Sequence, residues 1–123
     1  ANQIMVAAQM VALGELLIFA RKSGADPRRV VKAIQGGAAQ CWALDVKPEQ
    51  LFAGNRQPGF KAALQSKDLD IVMATAREYG VSLPSTAVHT QLYHAMLEHG
   101  MEKLDNSAVI GMMELLANTN LLE

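Results

Sequence analysis

Cysteine, aromatic residues and net charge are all scarce in this chain of 123 residues. A single cysteine cannot form an internal disulfide, which fits a reducing compartment, and we expect a cytoplasmic protein. The 11 basic and 12 acidic residues nearly cancel, so the charge indicates neither nucleic acid nor an anionic membrane as a partner. No segment alternates apolar and polar residues between hairpin turns, so the sequence predicts no β-sheet.

Helix-forming residues make up most of what is present. Half of the residues are hydrophobic but only 5% are aromatic, and Ala, Leu, Met and Val dominate. The length suits one domain, residues 1–123, and the apolar spacing predicts an all-α helical bundle around one long buried helix. The predicted helices are Ala1–Lys22, a helix from Pro27 to Gly36, Trp42–Val46, Lys61–Tyr79, Ser85–Glu98 and Ser107–Ala117, with a loop over Leu51–Gly59.

The first helix is apolar on nearly all sides from Ile4 to Ala20. A membrane span needs about 20 such residues, but Gln9 and Glu15 interrupt the run, and an acidic residue at the centre of a span costs about 2.5–3.5 kcal/mol. We therefore expect a central core helix and no membrane partner. The helical pattern opens at Ala1 without an initiator Met or a capping box, so we expect the chain to begin inside a helix of a longer protein.

Histidine and cysteine do not form a convincing site. His89, His94 and His99 are spaced five apart, so neighbours point about 140° apart on a helix and cannot share a metal ion from one face. We expect no metal site. Cys41 lies beside Trp42 without a nearby histidine or basic cluster, and it is expected to be a small hydrophobic residue in the core.

Polar residues at two places are harder to explain by packing. Asn2 and Gln3 lie at the start of the buried helix, where their amides need hydrogen-bond partners, and we expect them to face a cleft. Lys67 and Asp68 lie in the long fourth predicted helix. On composition alone their simplest interpretation is a solvated surface ion pair, which contributes little to stability. The residues by themselves name no reaction.

Several short motifs follow one another along the chain, in the order Ala1-Asn2-Gln3-Ile4, Glu15, Ala20–Pro27, Gly36-Gly37, Pro58-Gly59-Phe60 and Lys67-Asp68-Leu69. Each motif is weak alone, but their order and spacing extend over essentially all of the chain. Together they resemble the C-terminal helical domain of the β-hydroxyacid dehydrogenases, a fold related to that of 6-phosphogluconate dehydrogenase.

The resemblance implies a set of roles. In this family an N-terminal Rossmann domain binds NAD or NADP, while the helical domain closes the substrate cleft and carries the dimer contact. The family's catalytic lysine would lie two positions ahead of Ala1, so we expect no catalytic residue within these 123 residues. The positions that match the family's binding residues are Asn2, Gln3 and Phe60 for the substrate, and Lys67 and Asp68 for the cofactor.

The implied function is hydride transfer between a nicotinamide cofactor and a small 2- or 3-hydroxy acid or its aldehyde, with tartronate semialdehyde and D-glycerate as the expected pair. The glycine fingerprint of a Rossmann domain does not occur in the chain, so we expect that domain outside it and no activity from these residues alone. We also expect a homodimer or larger assembly. The alternatives are a sibling 3-hydroxyisobutyrate or 4-hydroxybutyrate dehydrogenase, a glyoxylate reductase, or a non-catalytic helical interaction module.

Overall fold

The computed structural model describes residues 1–123 as an all-helical bundle with no strand. Seven α-helices and one short 3-10 helix follow one another, in agreement with the predicted fold class. Their bounds are α1 Asn2–Lys22, α2 Pro27–Ile34, α3 Trp42–Val46, α4 Pro48–Phe52, α5 Ala62–Glu78, α6 Pro84–Glu98, the 3-10 helix Asn106–Val109, and α7 Ile110–Ala117.

Helix α1 is the central element, because it contacts α2, α3, α5, α6, α7 and the 3-10 helix. Its buried face includes Ala7, Met10 and Leu17. Gly14 lets α7 approach closely, since a Cβ added there would lie 3.3 Å from the Cα of Ile110. By length and composition α1 could cross a membrane, yet 44% of its most apolar window is buried within the fold. That burial favours the predicted role of a core helix.

The boundary between α1 and α2 confirms the local signals in the sequence. Gly24 takes a left-handed conformation with φ of 82°, which a glycine adopts without steric cost, and it ends α1. Asp26 then caps α2, because its Oδ1 accepts a hydrogen bond of 2.9 Å from the amide of Arg28. Pro27 occupies the first turn of α2, where its missing N–H costs nothing.

The structure corrects the prediction between residues 47 and 61. Leu51 and Phe52 belong to α4 and not to the predicted loop, which begins at Ala53. Pro48 opens α4 with a backbone angle suited to the first helical position, and Leu51 is buried in the core. The turn-forming pairs Gly54-Asn55 and Pro58-Gly59 indicate a loop, but they do not fix the residue at which that loop begins.

Candidate functional site

A cleft with a volume of about 810 Å³ and both polar and apolar walls lies beside the first turns of α1. The turn between α3 and α4 and the loop before α5 provide its other sides. Three of the predicted binding residues, Asn2, Gln3 and Phe60, line this cleft together, although Phe60 is 57 positions beyond Gln3 (60 − 3). The fold therefore gathers all the predicted substrate-binding residues in one place.

Gln3 links the cleft to α5. Its Nε2 donates a hydrogen bond of 2.8 Å to Oδ2 of Asp68, and its Oε1 accepts one of 3.3 Å from Nδ2 of Asn2. Asn2 is exposed and Gln3 is half-buried. Because a carboxylate only accepts hydrogen bonds, Asp68 fixes the direction in which the Gln3 amide points, and the Oε1 of that amide accepts the bond from Asn2.

Lys67 and Asp68 lie at the rim and not among the residues that line the cleft. The Nζ of Lys67 is 3.5 Å from Oδ1 of Asp68, and the Lys67 side chain is 62% exposed. Asp68 therefore contacts two predicted residues at once, Lys67 through one oxygen and Gln3 through the other. The roles of these two residues in binding a cofactor stay predictions.

A buried carboxylate holds the loop that carries Phe60. Oδ1 of Asp105 accepts hydrogen bonds from the backbone amides of Gly59, at 2.9 Å, and Phe60, at 3.2 Å. The backbone amide of Asn106 donates a hydrogen bond of 2.7 Å to the carbonyl of Phe60. These bonds fix the backbone beneath the Phe60 ring, so the ring has a defined position at the cleft.

Lys47 is the cleft residue that the sequence analysis missed. Its Nζ donates a hydrogen bond of 2.8 Å to Oδ2 of Asp105, and its side chain is only 6% exposed. The ammonium also lies 5.7 Å from the centre of the Trp42 ring. No periodic pattern marks Lys47, which lies in the turn before Pro48, and its partner is 58 positions away. Only its place directly before a helix-opening proline could have drawn attention to it.

The charge of Asp105 is maintained by its surroundings. Burial alone would raise the pKa of this carboxyl, but hydrogen bonds from Lys47, Ser107 and the amides of Phe60 and Gly59 outweigh burial and hold the pKa below its usual value. Asp105 is therefore an anion, and Lys47 is its cationic partner. The amide of Ser107 also donates to Oδ2 at 3.1 Å, so Asp105 is the cap of the last helical segment.

A second buried polar group lies next to this ion pair. Nδ2 of Asn106 donates to Oε1 of Gln65 at 3.0 Å, and the hydroxyl of Tyr93 donates to the carbonyl of Asn106 at 2.9 Å. Burial, together with the charge of Asp105, raises the pKa of Tyr93, so the phenol stays protonated and remains a donor. Oδ1 of Asn106 and Nε2 of Gln65 have no partner within the protein. Asn106 borders the cleft, but its unpartnered Oδ1 is buried.

The other candidates lie away from the cleft. His94 pairs with Asp70, their Nε2 and Oδ1 atoms being 2.7 Å apart, and His99 contacts the carbonyl of Ala95. Burial lowers the pKa of His89, while Glu15 partly opposes that effect. No group of three metal-ligating side chains occurs in the structure. Cys41 is half-buried in a separate apolar groove of about 430 Å³.

This arrangement suits a small polar anion. The cleft combines the amides of Asn2 and Gln3, which donate and accept, with the ammonium of Lys47 and the flat ring of Phe60. Amides match hydroxyl and carbonyl groups, an ammonium matches a carboxylate, and an aromatic ring provides an apolar wall.

Comparison with known proteins identifies relatives over nearly the whole chain. Residues 1–113 match a family described as NAD-binding of NADP-dependent 3-hydroxyisobutyrate dehydrogenase. The chain is 41% identical to 2-hydroxy-3-oxopropionate reductase of Escherichia coli over 121 residues, which is 98% of this chain and 41% of that protein. It is 34% identical to a probable 3-hydroxyisobutyrate dehydrogenase-like protein of Arabidopsis thaliana, described as mitochondrial, over 98% of this chain and 36% of that protein.

Solved structures show the same fold. A 3-hydroxyisobutyrate dehydrogenase of Salmonella typhimurium superposes with a TM-score of 0.85 at 22% identity, over 90% of this chain and 39% of that one. The 3-hydroxyisobutyrate dehydrogenase of Mycobacterium tuberculosis, solved with L-serine, superposes with a TM-score of 0.79 at 27% identity, over 91% of this chain and 40% of that one. The chain thus spans about two fifths of the length of the relatives it matches, with 41% and 36% of the two curated ones covered.

Proposed function

Because this chain belongs to the β-hydroxyacid dehydrogenase family, we propose that the whole protein interconverts a small hydroxy acid and its aldehyde by hydride transfer with NAD or NADP. In that enzyme residues 1–123 form the helical wall of the substrate cleft. The observation that carries the proposal is the cleft itself, in which Phe60 meets Asn2 and Gln3 although it lies far from them in the sequence. A non-catalytic helical module is disfavoured, since it does not account for membership of a dehydrogenase family.

The residues of this chain bind and orient the substrate. The amide of Asn2 can hydrogen-bond to the hydroxyl or carbonyl at the reacting carbon, and Gln3 keeps Asn2 in place through its own bond to Asp68. The ring of Phe60 covers one side of the cleft and excludes water from it. The proton is exchanged with the family lysine, which the resemblance places two positions ahead of Ala1, as a general acid or base.

Lys67 and Phe60 fit a nicotinamide dinucleotide in chemical type. The exposed ammonium of Lys67 suits the anionic part of such a cofactor, and the half-buried ring of Phe60 suits a flat heterocycle. When bound, the cofactor donates or accepts the hydride. Asp68 contacts both Lys67 and Gln3. A shift of Lys67 toward the cofactor would therefore also move Gln3, which supports Asn2.

Tartronate semialdehyde is the substrate that we favour, and D-glycerate its product. The support is the 41% identity to the Escherichia coli reductase, which is named for 2-hydroxy-3-oxopropionate, another name for tartronate semialdehyde. The second candidate is 3-hydroxyisobutyrate, because the family description and both solved structures carry that name.

The enzyme is tested in the full-length protein, by following NADH or NADPH oxidation with tartronate semialdehyde, methylmalonate semialdehyde, glyoxylate and succinate semialdehyde. We expect the highest kcat/KM with tartronate semialdehyde. In Lys67→Ala the KM for the cofactor should rise, because an exposed cation beside the cleft is lost. Lys32→Ala, which removes an exposed lysine of α2, is the matched control and should leave that KM unchanged. Absence of turnover with every aldehyde would refute the proposal.

We also propose that the protein works as a homodimer or larger assembly in the cytoplasm. Large apolar side chains remain on the surface of the helices, such as Phe19, which is 73% exposed, and Leu116, which is 80% exposed. Surface of this kind favours association. Sedimentation of the full-length protein as a monomer would contradict the first part, and its recovery in an organelle fraction would contradict the second.

A further inference from the structure

The buried ion pair beneath the cleft has two unequal ends. Lys47 is one of the residues that line the cleft, whereas Asp105 is completely buried and does not line it. The residue that carries the positive charge therefore borders the cleft, whereas the residue that carries the negative charge does not.

The hydrogen bonds of the pair are also unequal. The carboxylate of Asp105 accepts five, from Lys47, from the amides of Gly59 and Phe60, and from the amide and hydroxyl of Ser107. An ammonium has three N–H donors, and Lys47 makes one hydrogen bond, the one to Asp105. The other two N–H donors of this nearly buried cation have no acceptor within the protein, and leaving such donors unused is costly.

We propose that Lys47 binds the carboxylate of the substrate and so sets the specificity of the cleft for acids. This inference rests on the proposed function and adds to it the residue that binds the charged end of the substrate. Asp105 is then a positioning residue, which fixes the ammonium of Lys47 and the backbone beneath Phe60 with the same carboxylate. The amides of Asn2 and Gln3 are left for the hydroxyl and carbonyl end of the substrate.

The test is Lys47→Met in the full-length enzyme, which keeps the length of the side chain and removes its charge. The KM for tartronate semialdehyde should rise about 10- to 100-fold, as expected for losing a hydrogen bond to a charged group, while kcat changes much less. Glyceraldehyde, in which a hydroxymethyl group replaces the carboxylate, is measured as a competitor. Its inhibition constant should stay within about threefold of the wild-type value, because it lacks the group that Lys47 binds.

Two further variants keep the result interpretable. Lys47→Arg should recover most of the lost affinity, since it restores a cation that can still reach Asp105. If Lys47→Met fails to fold because Asp105 is left unpaired, Lys47→Met with Asp105→Asn removes both charges and is measured instead. Lys32→Met is the matched control on the surface.

Each outcome is decisive. If Lys47→Met loses affinity equally for tartronate semialdehyde and glyceraldehyde, or leaves the KM for tartronate semialdehyde unchanged, the assignment of Lys47 is overturned while the proposed function stays intact. Absence of turnover in the wild-type enzyme would instead refute the proposed function itself, and this inference with it.

Discussion

Replacing Asp105 with alanine should be among the most destabilising single changes in this chain. The change leaves the ammonium of Lys47, which is only 6% exposed, without its partner. It also removes an acceptor from the amides of Gly59 and Phe60 and from Ser107. Breaking a buried ion pair by removing one partner costs about 3–5 kcal/mol. We expect the free energy of unfolding to fall by about that amount.

The chain contains a control with the same kind of contact in a different environment. Arg28 and Glu49 approach within 3.1 Å, nearly as closely as Lys47 and Asp105, but their side chains are 50% and 81% exposed. An exposed pair contributes about 0–1 kcal/mol, because water screens the charges. Glu49→Ala should therefore change stability by less than about 1 kcal/mol. The two contacts separate the effect of burial from that of distance.

Urea unfolding followed by circular dichroism measures both variants, provided that the slope with denaturant stays the same. The expected result is a large decrease in the midpoint for Asp105→Ala and almost none for Glu49→Ala. Adding Lys47→Met to Asp105→Ala should restore part of the stability, because no unpaired charge is then buried. Equal, small effects of the two alanine variants would refute the claim that burial makes the Lys47–Asp105 pair important.

Three other changes test separate features. Because folding lowers the pKa of Asp105 below its ordinary value, the stabilisation by this carboxylate is present above that ordinary value and is lost as the pH falls through the folded-state pKa. Acid unfolding of Asp105→Asn should lack this loss of stability. Gly14→Val should destabilise the fold by about 1–3 kcal/mol in thermal unfolding, since its Cβ would press on Ile110, whereas Ala12→Val on the exposed side of α1 should cost less. Gln3→Leu removes the hydrogen bond to Asp68 and should lower kcat/KM of the full-length enzyme about tenfold. A smaller loss of kcat/KM in Gln3→Glu than in Gln3→Leu would contradict the role of the Gln3 amide as a donor.

The sequence predicted the helices well where their ends depend on neighbouring residues. The glycine at position 24 and the capping residue Asp26 act within one helical turn, so their effect is visible in the sequence. The helix α4 was missed, although α3 of the same length was predicted, because the turn signals after α4 do not mark where the loop begins. Its start depends on Pro48, and its stability comes from the burial of Leu51 against the rest of the bundle.

The site was only partly predictable. The resemblance to a family placed Asn2, Gln3 and Phe60 together, and the structure gathers them in one cleft. Lys47 could not be found in this way, because its meaning depends on a carboxylate 58 positions later in the chain. A lysine in a turn is ordinarily a solvated residue, and only the fold shows that this one is buried.

The polar residues also explain how one end of an apolar bundle can support a binding site. A cleft lined with amides and a cation would lose its shape if each group were held separately, since every side chain would keep its own rotamer freedom. Here Asp105 fixes the loop of Phe60 and the ammonium of Lys47 at once, and Asp68 fixes Gln3 in the same manner from α5. Two acceptor-only carboxylates, neither of which lines the cleft, therefore orient the donors that do. It follows that changes at Asp68 and Asp105 should alter substrate affinity without either residue touching the substrate.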